Sequence, residues 1–180
     1  MLNLPVSTAD LRSLCESVQA TQLDTCRTFL RKLAIRISNG GDMLHFLPAE
    51  LRAGSSERYT RHIAYADPHG AFTVAYLVWR PGQFSPVHGH KTWCAYQVLQ
   101  GCLIETHYRW DTAAGTATTC GEISRLPGDI ATATQGLHQI HRLGNVGPDV
   151  AVSLHIYGVD QADLCTGVNH VVPHLTANSN

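Results

Sequence analysis

Two histidines separated by one glycine, His88-Gly89-His90, are the residues whose type and spacing point most directly to chemistry. Successive side chains on a β-strand project to opposite faces, so His88 and His90 share one face and Gly89 lies on the other. That arrangement aims two imidazoles at one metal ion. In a chain with 11 histidines a pair of this kind proves little by itself, and its surroundings must decide. The surroundings are two strand-like runs, with Pro81-Gly82 before the pair and Gln100-Gly101 after it.

The elements that must position the pair fall into two groups. The first third reads as helical. Ser7-Thr8-Ala9-Asp10 offers an N-cap, with Leu11, Leu14, Cys15 and Val18 following at helical spacing. A second helix is expected from about Gln22 to Ser38, with Cys26, Phe29, Leu30, Leu33, Ala34 and Ile37 on one face, ending at Asn39-Gly40-Gly41. A short third segment covers Pro48 to Ala53. Their expected role is to cover one side of a sheet.

From Tyr59 onward the pattern becomes short strands between turn residues. The strands read as Tyr59 to Ala66, Ala71 to Trp79, Trp93 to Leu99, Leu103 to Trp110, Glu122 to Leu126, Gln139 to Leu143 and Val150 to Tyr157. Gln100-Gly101 reads as the turn of a hairpin. This spacing predicts an all-β barrel or sandwich. The expectation is one domain over 1–180, with a helical segment at 1–55 and a β-barrel at 56–175, and a frayed tail from Thr176 to Asn180.

Composition narrows the function classes. A net charge of −1, with basic residues scattered, gives no electrostatic case for nucleic acid or an anionic membrane. No apolar run approaches the ~18–20 residues of a membrane span. Met1-Leu2-Asn3-Leu4-Pro5 lacks a basic region followed by an apolar one, so no signal peptide is expected, and the cytoplasm is the expected location. Cys15, Cys26, Cys94, Cys102, Cys120 and Cys165 form no C-x-x-C pair, and reduced thiols are expected.

The stretch around the histidines resembles the first cupin motif, G-x5-H-x-H-x3-E-x6-G, at Gly82, His88, His90, position 94 and Gly101. The end of the second motif, H-x3-N, resembles His141 to Asn145, and Pro127-Gly128-Asp129 resembles its earlier turn. This implies a jelly-roll β-barrel with N-terminal helices packed outside and a metal in its interior, held by His88, His90 and His141. His138 competes for the third position, but the spacing to Asn145 favours His141, and on a regular strand His138 faces the other way. His62, His69, His107, His170 and His174 read as surface or packing residues, and Trp93 and Tyr96 as barrel lining or core.

Position 94, where cupins place a carboxylate ligand, is Cys94. A three-histidine site of that kind is similar to the cysteine dioxygenase family of thiol dioxygenases. Tyr59-Thr60-Arg61 resembles that family's substrate-carboxylate segment, and Ser153-Leu154-His155-Ile156-Tyr157 its Ser-His-Tyr triad. In some members a cysteine like Cys94 is crosslinked to the triad tyrosine. The interval from His90 to Cys94 is one residue shorter here than in the mammalian-type enzymes, so the thioether stays open beside a free pocket-lining thiol.

The resemblance implies mononuclear Fe(II), O2 and a small thiol as the reacting partners. Three neutral imidazoles leave the ion its full positive charge, which favours an incoming thiolate. Arg61 offers a planar fork for a carboxylate. Ser153, His155 and Tyr157 share a strand face, and a hydrogen-bonded relay through them would bring the phenol near oxygen. L-Cysteine is the first candidate substrate. Arg61 is present and no arginine follows Tyr157 between Gly158 and Thr166, which matches the cysteine branch and not the 3-mercaptopropionate branch. Mercaptosuccinate enzymes also carry this arginine; a second carboxylate would need another cation, Lys91 or Arg142. Another metal-dependent cupin enzyme and a non-catalytic ligand-binding cupin are the readings of other classes. A monomer or weak homo-oligomer is expected.

Overall fold

The computed structural model describes residues 9–175, so Ser7 and Thr8 of the expected N-cap and the tail from Thr176 lie outside the described residues. Among the described residues one helix, α1 (Ala9–Ser38), stands where two were expected. The reason is the lack of any breaker: no glycine or proline interrupts Ala9 to Ser38. Only its second half packs, with Leu30 buried while Leu14 and Val18 are exposed. Gly41, at φ 75°, lies just beyond its end. Two one-turn 3₁₀ segments follow, Leu44–Phe46 and Ala49–Ala53. Among the described residues no helix is long and apolar enough to cross a membrane.

Ten strands follow among the described residues: β1 (Thr60–Ala66), β2 (Thr73–Trp79), β3 (His88–His90), β4 (Cys94–Gln100), β5 (Leu103–Asp111), β6 (Thr116–Arg125), β7 (Ile130–Ala133), β8 (Gly136–Gly144), β9 (Ala151–Tyr157) and β10 (Asn169–Val171). They form two five-stranded sheets, ordered β1-β2-β9-β4-β7 and β10-β3-β8-β5-β6, with every named pair antiparallel. This is the expected cupin architecture, an all-β jelly roll with a helix outside.

The expected hairpin at Gln100-Gly101 does not exist. The turn is there, but β4 pairs with β7 and β9 while β5 pairs with β6 and β8, so the chain crosses between sheets. Gly101 is required at that corner: it has φ 73°, and a Cβ there would lie 2.8 Å from the Ala151 Cα. The true hairpin is β5–β6, turning at Gly115. Strands β7 and β10, too short to show a period, add to the expected set.

Apolar residues from both sheets fill part of the interior: Ala75, Leu77 and Trp79 of β2, Tyr96 and Val98 of β4, Leu103, Leu143 and Ala151. A second cluster, with Leu47 against Tyr76, Val78, Val152 and Leu154, seats the 3₁₀ segments on the outer face of the first sheet. Burial of such side chains stabilises by roughly 1.5–3 kcal/mol each. Alternation does the sorting: on β9, Ser153, His155 and Tyr157 face the interior, while Ile156 lines a groove beside α1.

Candidate active site

The three histidines meet because two strands are neighbours. His88 on β3 and His141 on β8 are register partners, and His90 lies one pleat along. The ring centroids are 4.7 Å apart for His88 and His141, 5.0 Å for His90 and His141, and 5.3 Å for His88 and His90. One nitrogen from each ring lies within 4.8 Å of the others. Gly89 permits this approach, because a Cβ there would lie 2.6 Å from the Gly136 carbonyl oxygen. His138, the competing residue, lies outside the group.

The protein prepares these rings for a cation. His88 Nδ1 donates to the Pro86 carbonyl at 2.9 Å, which leaves Nε2 free. Neither ring nitrogen of His90 has a partner, although the side chain is 2% exposed. A buried imidazole with nothing to bond is costly unless a ligand completes it. Burial and the neighbouring imidazoles lower the pKa of His88 to about 4 and of His90 to about 3, so both rings are neutral and able to ligate at physiological pH. The donor set therefore fits a metal.

Around this centre lies a pocket whose lining includes Tyr59, Arg61, Cys94, His155, Tyr157 and Asn169. Arg61, on β1, is half-buried and forms no ion pair among the described residues. Its Nη1 donates to the Leu164 carbonyl at 3.3 Å, its Nε has no partner, and its guanidinium carbon lies 5.7 Å from the centre of the Tyr157 ring. Tyr59 stacks on Trp79 with centroids 4.3 Å apart.

Ser153, His155 and Tyr157 line up on β9 as expected, but the relay is only half hydrogen-bonded. Ser153 Oγ and His155 Nε2 share a bond of 2.8 Å, and Trp79 Nε1 donates to the same hydroxyl at 2.9 Å. Between His155 and Tyr157 the contact is a ring stack, 5.6 Å between centroids and 23° between planes. Burial, reinforced by the Arg61 charge, lowers the His155 pKa well below the ordinary value. Burial raises that of Tyr157 against the opposing pull of Arg61. At neutral pH the pocket thus holds a neutral imidazole and a protonated phenol.

Cys94 is the register partner of Tyr157 across β4 and β9, and both are buried in one cluster. Burial, then the Glu105 charge, pushes its thiol up to about 12. Tyr96 lines the pocket as expected, whereas Trp93 sits outside the barrel, 4.8 Å from Phe29 of α1.

Glu105 and Arg125 escape sequence reasoning. Glu105 is 3% exposed, yet it is a carboxylate on the inward phase of β5 with Leu103. Its Oε1 accepts from His141 Nδ1 at 2.6 Å and its Oε2 from Arg125 Nε at 2.7 Å, while His107 Nε2 lies 3.6 Å away. Burial alone would raise its pKa; the bonds from His141 and Arg125 outweigh that and hold it at about 2. The signal was the acid in the inward alternation, but only strand pairing shows that it backs His141. His107, expected to be a surface or packing residue, lines the small cavity behind the histidines with Glu105 and Arg125.

Residues 51–163 match the family described as Cysteine dioxygenase type I. The chain belongs to that family. It is accordingly an oxidoreductase of the thiol dioxygenase kind. Among solved structures, it is similar to TT1209 from Thermus thermophilus, at 19% identity over 58% of this chain and 87% of that one, with a TM-score of 0.47. A Klebsiella pneumoniae protein with a double-stranded β-helix domain is 23% identical over 63% of this chain and 87% of that one, with a TM-score of 0.44. Oxalate decarboxylase of Bacillus subtilis is 21% identical over 59% of this chain, which spans 27% of that longer one, with a TM-score of 0.46.

Proposed function

We propose that this protein is a cytoplasmic Fe(II)-dependent dioxygenase that converts a small thiol carboxylate, foremost L-cysteine, to its sulfinate. The observation that carries the reading is Arg61: a half-buried guanidinium without an acidic partner among the described residues opens onto the same pocket as three neutral imidazoles. A cation held there favours an anionic guest, and its fork suits a carboxylate.

In this reading His88, His90 and His141 hold Fe(II). The ion supplies charge to bind the thiolate and open-shell chemistry to engage O2. Both oxygen atoms end on sulfur, RSH + O2 giving RSO2H, and sulfur itself furnishes the electrons that reduce O2. Arg61 fixes the carboxylate and so orients the thiol toward the three rings. Tyr157, kept protonated by burial, is an O–H donor for developing negative charge, and Tyr59 borders the same space. His155 is a neutral support for the tyrosine ring, tied down by Ser153 and Trp79. The register pairing of Cys94 with Tyr157 supports a thioether between them; loss of two hydrogens from the intact mass, restored in Cys94→Ala, would reveal it.

The pocket favours one carboxylate over two. Lys91 Nζ donates to the Thr166 carbonyl, and the Arg142 guanidinium lies 4.0 Å from the centre of the Phe84 ring; neither lines the pocket. This supports cysteine, or another monocarboxylate thiol such as 3-mercaptopropionate, over mercaptosuccinate. The test is oxygen consumption by iron-loaded protein with these thiols, followed by product mass. Uptake is expected with cysteine, yielding the sulfinate. No uptake with any of the three would sink the reading. Arg61→Ala should raise the KM for cysteine, and unchanged kinetics would remove the clamp.

A further inference from the structure

The face of the metal site turned away from the pocket holds a charged group that the proposed reaction does not use. Glu105 lies behind His141, on the neighbouring strand of the same sheet, with its two oxygens divided between partners. Oε1 accepts a hydrogen bond from His141 Nδ1–H and Oε2 accepts one from Arg125 Nε–H. The side chain is 3% exposed, and the partners are inherited from strand order, because β5 lies between β8 and β6. An ionised carboxylate is kept in such a place only with good compensation, since unpaired it costs several kcal/mol. A bare packing role at this inward position would be met by an apolar residue such as the neighbouring Leu103.

We propose that Glu105 is a positioning residue for the metal centre, which fixes His141 with Nδ1 protonated and Nε2 turned to the ion, and returns through that imidazole part of the negative charge that Cys94 does not supply at the ion. Carboxylates bonded to the far nitrogen of a ligating histidine raise its basicity and hold its ring plane. Arg125 sets how much charge reaches the imidazole: it competes for the same carboxylate from the opposite side. Glu105 and Arg125 thus act as a pair with opposite effects on the metal. This inference rests on the three-histidine metal centre and not on which thiol is oxidised.

The experiment compares Glu105→Gln and Arg125→Met in otherwise intact protein. Two readouts are used: the Co(II) dissociation constant and the Fe(III)/Fe(II) midpoint potential without substrate. Glu105→Gln should weaken Co(II) binding by about ten- to a hundredfold and raise the midpoint potential. Arg125→Met leaves the carboxylate on His141 without its competing cation and should lower the potential. A pair that only braces the barrel would loosen His141 in both variants and move both potentials the same way, and that result overturns the proposal. So does Glu105→Gln with affinity and potential unchanged. If Glu105→Gln does not fold, Arg125→Met decides: a lowered potential supports the role, and an unchanged or raised one overturns it. Co(II) binding reads this even in protein that consumes no oxygen with cysteine, which separates its failure from failure of the proposed reaction.

Discussion

Strands β3 and β9 both place polar residues on the barrel interior at every second position, and both carry histidine there, yet they leave those histidines in opposite conditions. On β9, His155 Nε2 is bonded to Ser153, whose hydroxyl is in turn bonded by Trp79. On β3, both nitrogens of the equally hidden His90 are without partners. Each histidine is buried, so water does not make up the difference. An imidazole whose Nε2 is already engaged is a fixed wall; one whose Nε2 is left free, in His88 and His141 as in His90, can take a metal. The same alternation therefore yields a supporting wall on one strand and a metal centre on the other, and the partners supplied by neighbouring strands decide which.

The strongest way to break this comparison is to delete one histidine from each strand. His90→Ala should abolish stoichiometric metal binding while the metal-free protein remains folded, because the side chain bonds nothing that would be stranded. His155→Ala should keep its metal, since His155 lies outside the ligand group. Metal analysis after dialysis reads both. Loss of metal in His155→Ala would show that the two strands form one device.

Protonation is where the strands agree, and acid titration of metal-free protein should show it. Burial, then neighbouring positive charge, lowers the pKa of His88 to about 4, of His90 to about 3 and of His155 well below its ordinary value of 6.5. Between the ordinary and the lowered values the unfolded chain binds protons that the folded chain refuses. The histidines' contribution to stability is therefore constant above about pH 6.5 and falls as pH drops toward 4, by up to about 1.4 kcal/mol per pH unit for each such histidine. Urea midpoints across that window would check the slope. A flat profile would mean that the rings are wetter than the packing implies. Glu105, held at about 2, adds its own loss only below about pH 4.5.

What could be read from the chain alone follows the range of each interaction. His88, His90, Cys94 and the Ser153-His155-Tyr157 series were legible because alternation and motif spacing are local properties of one strand. His141 was reached by its distance from Asn145, a residue that is fully buried and bonded to the Trp79 and Asp149 carbonyls. Glu105 was not legible, since nothing in Leu103-Ile104-Glu105 says which strand will lie beside it. Gln100-Gly101 announced a reversal correctly but not the sheet into which the chain would reverse. The two expected helices are one because Ala9 to Ser38 holds neither glycine nor proline, so nothing between Val18 and Gln22 stops the helix.

The finest test of the comparison lies in the hydroxyl that distinguishes the two strands. Ser153 is fully buried and serves Trp79 and His155 at once. Ser153→Ala removes no volume to speak of, so cavity formation does not cloud the result. It strands the Trp79 N–H and the His155 nitrogen, at a cost of about 1–3 kcal/mol for each buried group left unpaired. The denaturation midpoint should fall accordingly, and Co(II) affinity should not change, because no metal ligand bonds to Ser153. Should His155, released from Ser153, instead turn its free nitrogen to the metal, Co(II) affinity would rise. That result would overturn the separation of the two strands, because the hydroxyl of Ser153 would then bear on the metal centre.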